Sequence, residues 1–292
     1  MSERPRSGPY SGLTYRSAKR VLARRFEAAG LSFADEDALD LVLGLTGLSR
    51  TDYALRGTEF VPQDRFAAVL EAADRRLRGE PVDRILERRD FYGRRFAIDN
   101  VLSPRGDTEV LLLAALAAVR DVNAPRVLDL GTGSGVLALS LLAERPDASA
   151  VATDVDPDAL ATAARNANAL GVADRVDLAR SDWFGALGPG AFDAVLSNPP
   201  YIATDAMDAL EREVSAHDPH HALHGGTDGL DPYRILVPGA RDYLRPRGWL
   251  GVEIGFDQRT AVEALFHASG YRDVRTRSDP AGLDRVVQGR KP

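Results

Sequence analysis

Val127-Leu128-Asp129-Leu130 leads directly into Gly131-Thr132-Gly133-Ser134-Gly135 and then into a largely apolar run over 136–142. A strand, a glycine turn and a helix start therefore follow one another with no spacer, which few architectures accommodate. From Pro104 onward, short apolar runs at 127–130, 150–153, 176–179, 194–197 and 249–254 alternate with helical stretches. Such alternation predicts an α/β fold, a parallel sheet covered by helices on both faces. Two late runs, 274–277 and 285–288, are separated by too few residues for a helix. They are expected to pair antiparallel, so that the last strand is antiparallel in a sheet of about seven strands.

The preceding residues follow other rules. Residues 1–12 are rich in Ser, Pro, Gly and Arg without periodicity, which predicts a disordered lead-in. Ala18, Val21, Leu22, Phe26 and Ala29 recur at helical spacing, as do Ala38, Leu41, Val42 and Leu45. Pro62 opens a third helix carrying Phe66, Val69, Leu70, Ala73 and Leu77 on one face, stopped by Gly79-Glu80-Pro81. Residues 13–85 are accordingly read as a small all-helical domain. Aromatic and β-branched runs over 90–102, broken at Gly93, predict a β-hairpin linker within 86–103, and 104–292 form the sheet domain.

Composition narrows the chemistry. There is no cysteine, which removes disulfides, thiolate metal sites and any thiol nucleophile. The longest apolar run, 110–119, is far below the roughly 20 residues a membrane helix requires, so no membrane association and a cytoplasmic location are expected. Residues 1–30 carry +5 of a net −6, leaving −11 for the remainder. An acidic bulk disfavours a nucleic-acid binder and favours a protein or small-molecule substrate. The chain is read as a monomer. His217, His220, His221 and His224 form a histidine cluster interrupted by Pro219. Without cysteine or a common helical face it is read as a polar loop over the cleft, and no metal site is expected.

The glycine loop brings backbone and helix N–H groups close to a ligand. Asp154, at the end of the second strand and 23 residues beyond Gly131, can accept the hydroxyls of a ribose. A dinucleotide fingerprint requires a third glycine where this chain has Val136. Asp182-Trp183, after the third strand, supplies a carboxylate for an adenine amino group and an indole for its ring. Gly131, Thr132, Gly133, Ser134, Gly135, Asp154, Asp182 and Trp183 together describe a pocket for adenosine with a small charged tail, the shape of S-adenosylmethionine.

Asn198-Pro199-Pro200-Tyr201 follows the fourth strand, at the edge of the sheet where that pocket lies. Two prolines stiffen the segment and leave carbonyls free to accept hydrogen bonds. A planar amino nitrogen is a poor nucleophile and has to be oriented. If the Asn198 side-chain oxygen accepts one of its hydrogens and the Pro199 carbonyl the other, its π-face turns towards a sulfonium methyl, with Tyr201 covering the opposite face. Planar amides and the N6-adenine or N2-guanine amino groups of nucleic acids are alike candidates.

Over nearly its full length the chain resembles the HemK-type release-factor glutamine methyltransferases. The resemblance rests on Asp90-Phe91-Tyr92-Gly93, Pro104-Arg105 with Thr108-Glu109, the glycine loop, Asp182-Trp183-Phe184, Asn198 to Tyr201, and Gly225-Gly226-Thr227-Asp228-Gly229-Leu230. It implies a Rossmann-like class I methyltransferase sheet, with the helical N-terminal domain recognising class I peptide chain release factors. It further implies methylation of the side-chain amide nitrogen (N5) of the glutamine in their Gly-Gly-Gln motif, with S-adenosylhomocysteine as the other product. Asn198 would then touch both cofactor and substrate, Asn198 to Tyr201 would grip the amide, and Arg105 would sit near the cleft. Ser103, Gly106 and Glu87 depart from the family pattern.

Overall fold

A computed structural model of the chain describes residues 12–210 and 217–292. The lead-in expected over 1–12 lies, apart from Gly12, outside the described residues. The chain forms two compact units, Met1–Glu87 and Arg88–Pro292.

The first unit contains α1 (Tyr15–Ala28), α2 (Ala34–Thr46), α3 (Arg50–Arg56), α4 (Gln63–Leu77) and α5 (Val82–Leu86). The Thr14 side chain caps α1 by accepting from the Ser17 N–H, and the stripes of α1, α2 and α4 meet around Leu22, Phe26, Leu41 and Val69. Helices α3 and α5 are too short to show a period. The start of α3 is nevertheless written locally, because Ser49 and Asp52 form a reciprocal capping box. Glu87 ends α5 with φ 53°, a left-handed position where glycine carries no strain, so this departure falls on a helix cap.

The second unit begins with a hairpin of β1 (Arg88–Phe91) and β2 (Arg94–Ala97), closed by Tyr92 and Gly93 at φ 47° and 70°. The hairpin is shorter than the expected 90–102. Beyond Ala97 the apolar side chains of Ile98 and Val101 bury against Ala159 instead of pairing in a ladder.

There follow α6 (Glu109–Ala118), β3 (Arg126–Leu130), α7 (Val136–Glu144), β4 (Ser149–Asp154), α8 (Pro157–Leu170), β5 (Val176–Arg180) and β6 (Phe192–Ser197). The chain continues through α9 (Thr204–Met207), α10 (Asp231–Tyr243), β7 (Leu244–Glu253), α11 (Arg259–Ala268), β8 (Arg272–Ser278) and β9 (Asp284–Arg290). The seven strands lie in the order β5-β4-β3-β6-β7-β9-β8, with β9 inserted antiparallel to both neighbours and the ladders from β5 to β7 parallel. Alternate residues supply the two faces: Val127 and Ala194 join the core under α6 and α7, whereas Leu128 and Val195 join the core under α10 and α11. Among the described residues no helix is long and apolar enough to cross a membrane.

Strand order positions the site. From β3 the chain runs outward through β4 to β5, then returns to place β6 on the other side of β3. The loops after β3 and β6 diverge there and leave a crevice at the carboxyl ends of the strands. The Ser197 hydroxyl donates to the Leu130 carbonyl at 2.6 Å, tying the two strand ends together where both loops begin.

Candidate active site

Gly131, Gly133 and Gly135 adopt φ values of 69°, 57° and 85°. At Gly135 a Cβ would also lie 2.7 Å from Leu139 Cδ1 and 3.3 Å from the Ala163 Cβ, so only glycine lets α7 start where it does. Three N–H groups of this turn are engaged within the protein. Thr132 donates to the Thr153 carbonyl at 2.9 Å, Gly133 to Asp154 Oδ2 at 2.8 Å, and Gly135 to the Thr132 carbonyl at 2.9 Å. Asp154 Oδ1 takes the Asp156 N–H at 3.0 Å, so the acid braces two loops while still bordering the cavity.

Beneath the turn lies Asp129, fully buried, whose Oδ2 accepts from the Thr132 hydroxyl at 2.7 Å and the Ala138 N–H at 3.2 Å. Burial pushes its carboxyl up to about 7, against the lowering effect of those two hydrogen bonds. Sequence reasoning assigned this residue no role. The available signal was a carboxylate inside an otherwise apolar strand.

A single cavity is bordered by Gly131, Thr132, Gly133, Ser134, Asp154, Asp182, Trp183, Asn198 and Pro200. Gly135, Pro199 and Tyr201 do not border it: Gly135 packs between helices, and Tyr201 packs against the core under α10. Burial, reinforced by the nearby Glu253 carboxylate, raises the Tyr201 hydroxyl to about 12, so it stays neutral. The cavity also receives Val101, Leu102, Thr108 and Asp156, which sequence reasoning left out of the site, and His221 from the histidine loop. Three carboxylates, Asp154, Asp156 and Asp182, face it, while none of its described lining residues is Arg or Lys. This donor set suits a cationic ligand with hydroxyl and amino groups, as a sulfonium nucleoside is.

Asn198 donates through Nδ2 to the Thr108 hydroxyl at 3.3 Å, and its Oδ1 is buried without a hydrogen-bond partner. The segment that carries it is held mainly by backbone. Ile202 donates to the Leu223 carbonyl at 2.9 Å and Gly225 to the Ile202 carbonyl at 2.8 Å. A Cβ on Gly225 would come within 2.8 Å of both the Pro200 oxygen and the Tyr201 Cα, so this glycine allows two backbones to touch. Gln258 locks the contact: its Nε2 donates to the carbonyls of Tyr201 at 2.9 Å and Gly229 at 3.1 Å. Its Oε1 accepts from the Gly255 N–H at 3.0 Å and the Tyr233 hydroxyl at 3.3 Å. Gln258 was also missed, because a single glutamine after a strand carries no local signature.

Arg105, not among the residues bordering the cavity, is half exposed and lies 3.5 Å from the Asp218 carboxylate. The histidine cluster includes a short 3-10 turn at His220–Ala222, and His221 Nε2 lies 3.5 Å from Asp156 at the cavity. Among the described residues no group of three or more His, Asp or Glu is placed to hold a metal ion.

A glycine turn and an Asn-Pro-Pro-Tyr segment on either side of this switch point define a class I S-adenosylmethionine-dependent methyltransferase. The chain is 43% identical over 281 residues to the release factor glutamine methyltransferase of Agrobacterium fabrum, covering 94% of this chain and 97% of that one. It is 45% identical over 276 residues to that of Cereibacter sphaeroides, covering 94% and 98%. The chain belongs to the release factor glutamine methyltransferase family. The PrmC N-terminal domain family matches residues 18–86 and the Methyltransferase small domain family residues 107–227. In fold alone it is similar to the Thermus thermophilus 16S rRNA N2 G1207 methyltransferase in complex with AdoMet and guanosine. That likeness has a TM-score of 0.50 and 19% identity, covering 70% of this chain and 50% of that one.

Two outcomes follow from this geometry. Gly225→Ala forces the Pro200–Tyr201 backbone to move, so turnover is expected to fall by about tenfold or more while cofactor affinity, measured by calorimetry, changes by less than about threefold. Undiminished turnover contradicts the backbone clamp. The second outcome concerns pH. Because folding raises the Asp129 carboxyl to about 7, the folded chain holds a proton that the unfolded chain has released, and this residue's contribution to stability declines as pH rises through the interval from about 4 to 7. Asp129→Asn lacks that titration, so its stability relative to the parent is expected to improve by about 1–3 kcal/mol between pH 5 and pH 8 in urea unfolding. A constant difference across that range contradicts the buried ionisation.

Proposed function

We propose that this enzyme transfers a methyl group from S-adenosylmethionine to the side-chain amide nitrogen of the glutamine in the Gly-Gly-Gln motif of class I peptide chain release factors. The observation that carries the proposal is the buried, unpartnered Oδ1 of Asn198, a residue that borders the cavity. A buried acceptor without a partner costs about 1–3 kcal/mol, and a primary amide N–H of the substrate removes that cost on binding.

When bound, the cofactor supplies an electrophilic sulfonium methyl. Gly131, Gly133, Trp183 and the carboxylates of Asp154 and Asp182 would hold its adenosine and tail. Asn198 Oδ1 accepts one amide hydrogen, and the carbonyl of Pro199, next in the chain although Pro199 is not among the residues bordering the cavity, would accept the other and fix the nitrogen plane. Both acceptors strengthen as the nitrogen gains positive charge during N–C bond formation, and their rigidity removes most of the cost of reorganisation. Water takes the surplus proton, since a protonated amide is strongly acidic. The relatives, called release factor glutamine methyltransferases, support the substrate; the helical region 13–85 would recognise the folded release factor, and a cytoplasmic location follows from such a partner.

Labelled cofactor incubated with a class I release factor is expected to label the protein only while the motif glutamine is present. Asn198→Ala should lower that transfer by about 100-fold or more. Labelling that survives Gln→Ala in the motif, or that enters RNA instead, contradicts the proposed substrate.

A further inference from the structure

Asn198 can do this chemistry in only one of its two amide orientations. Its oxygen and nitrogen are nearly the same size, and a half-turn of the side chain would present the NH2 group to the substrate. Two donors would then face one another, and the amide nitrogen would be repelled. Packing cannot select between the two orientations, so a hydrogen-bond partner of fixed polarity has to.

We infer that Thr108 is that partner, a positioning residue that orients the Asn198 amide by accepting from Nδ2, with the Glu253 carboxylate holding the Thr108 hydroxyl proton on the far side. The inference rests on the amide reading above. Its elements are on adjoining parts of the sheet unit. Thr108 is 1% exposed, ends the 3-10 turn Gly106–Thr108 and precedes α6, while Glu253 closes β7 and is 2% exposed. Asn198 Nδ2 reaches the Thr108 oxygen at 3.3 Å. The Thr108 hydroxyl acts on the Glu253 carboxyl in the direction that favours its charged form, and Glu253 Oε2 is buried without a hydrogen-bond partner.

A hydroxyl has a single proton. An ionised carboxylate only accepts, so a Thr108 proton directed at Glu253 leaves only lone pairs facing Asn198. The amide then points its NH2 at Thr108, as observed, and leaves Oδ1 buried without a partner for a substrate N–H. The other charged groups acting on Glu253 are Asp107, Arg285 and Arg105. Arg285 is itself bound by Asp279 at 2.7 Å and Asp107 at 2.9 Å, which leaves the carboxylate to the hydroxyl. Burial raises the Glu253 carboxyl to about 7, so the experiment belongs at pH 8, where the ionised form prevails.

The test compares Thr108→Val, which keeps the shape and removes the hydroxyl, with Thr108→Ser, which keeps the hydroxyl. Methyl transfer to a release factor is followed at pH 8 with saturating cofactor, and cofactor affinity is measured separately by calorimetry. The valine variant is expected to lose about tenfold in kcat with cofactor Kd within about twofold of the parent, and the serine variant to recover most of the loss. A fall below fivefold, or a loss in which cofactor binding fails equally and serine gives no recovery, overturns the inference. If the valine variant does not fold by thermal melting, Glu253→Gln tests the same polarity: at least a threefold fall in kcat supports it, and a smaller one overturns it. Absence of transfer to release factor by the parent enzyme is a separate result, and overturns the proposed substrate before Thr108 is reached.

Discussion

The chemistry of this molecule depends on two strand ends being neighbours. Strands β3 and β6 are far apart in sequence, yet the sheet order makes them adjacent and parallel, and the Ser197–Leu130 hydrogen bond ties them at the point where both loops depart. One loop borders the cavity with glycine backbone and the other with Asn198. A change in strand order would leave each motif intact and separate them by at least one strand spacing, about 5 Å, too far for the geometry of in-line transfer.

Around that junction, strength and strain are distributed unequally. The glycine turn is braced from within: Asp154 accepts the Gly133 N–H and Asp129 accepts the Thr132 hydroxyl and the Ala138 N–H of the following helix, so its shape does not rely on a ligand. The Asn-Pro-Pro-Tyr segment is pressed against the Gly225–Gly229 backbone and fixed by Gln258. Among the described residues, five side chains, those of Asp129, Ser140, Thr153, Asn198 and Glu253, each leave one buried oxygen without a partner. Buried polar groups are ordinarily paired, and departures of this kind gather where a protein acts on something else. Of these five only Asn198 borders the cavity, which is why the proposed reaction is centred on it.

Much of the fold was legible because its signals are local. Apolar runs separated by helical stretches give the parallel strands, whereas the seven-residue helix that Ser49 and Asp52 cap was not read from the sequence. What escaped was set by tertiary partners. The insertion of β9 between β7 and β8 is a matter of which edge is free, and no residue in either strand states it. The run at Ile98 and Val101 has strand composition but is drawn into a small cluster with Ala159. In the site, the glycine turn, Asp154, Trp183 and Asn198 were readable from spacing and strand position. Thr108, Gln258 and Glu253 were not, since each acts on a segment 57 to 145 residues away and none has a short-range signature.

The central claim is that Asn198 Oδ1 receives the amide hydrogen of the substrate. A crystal structure of the enzyme with S-adenosylhomocysteine and a peptide containing Gly-Gly-Gln tests it directly. The glutamine amide nitrogen should lie about 3 Å from Asn198 Oδ1, with Nδ2 still on Thr108. A glutamine amide bound elsewhere in the cleft, or an Asn198 oxygen turned towards Thr108, would contradict it.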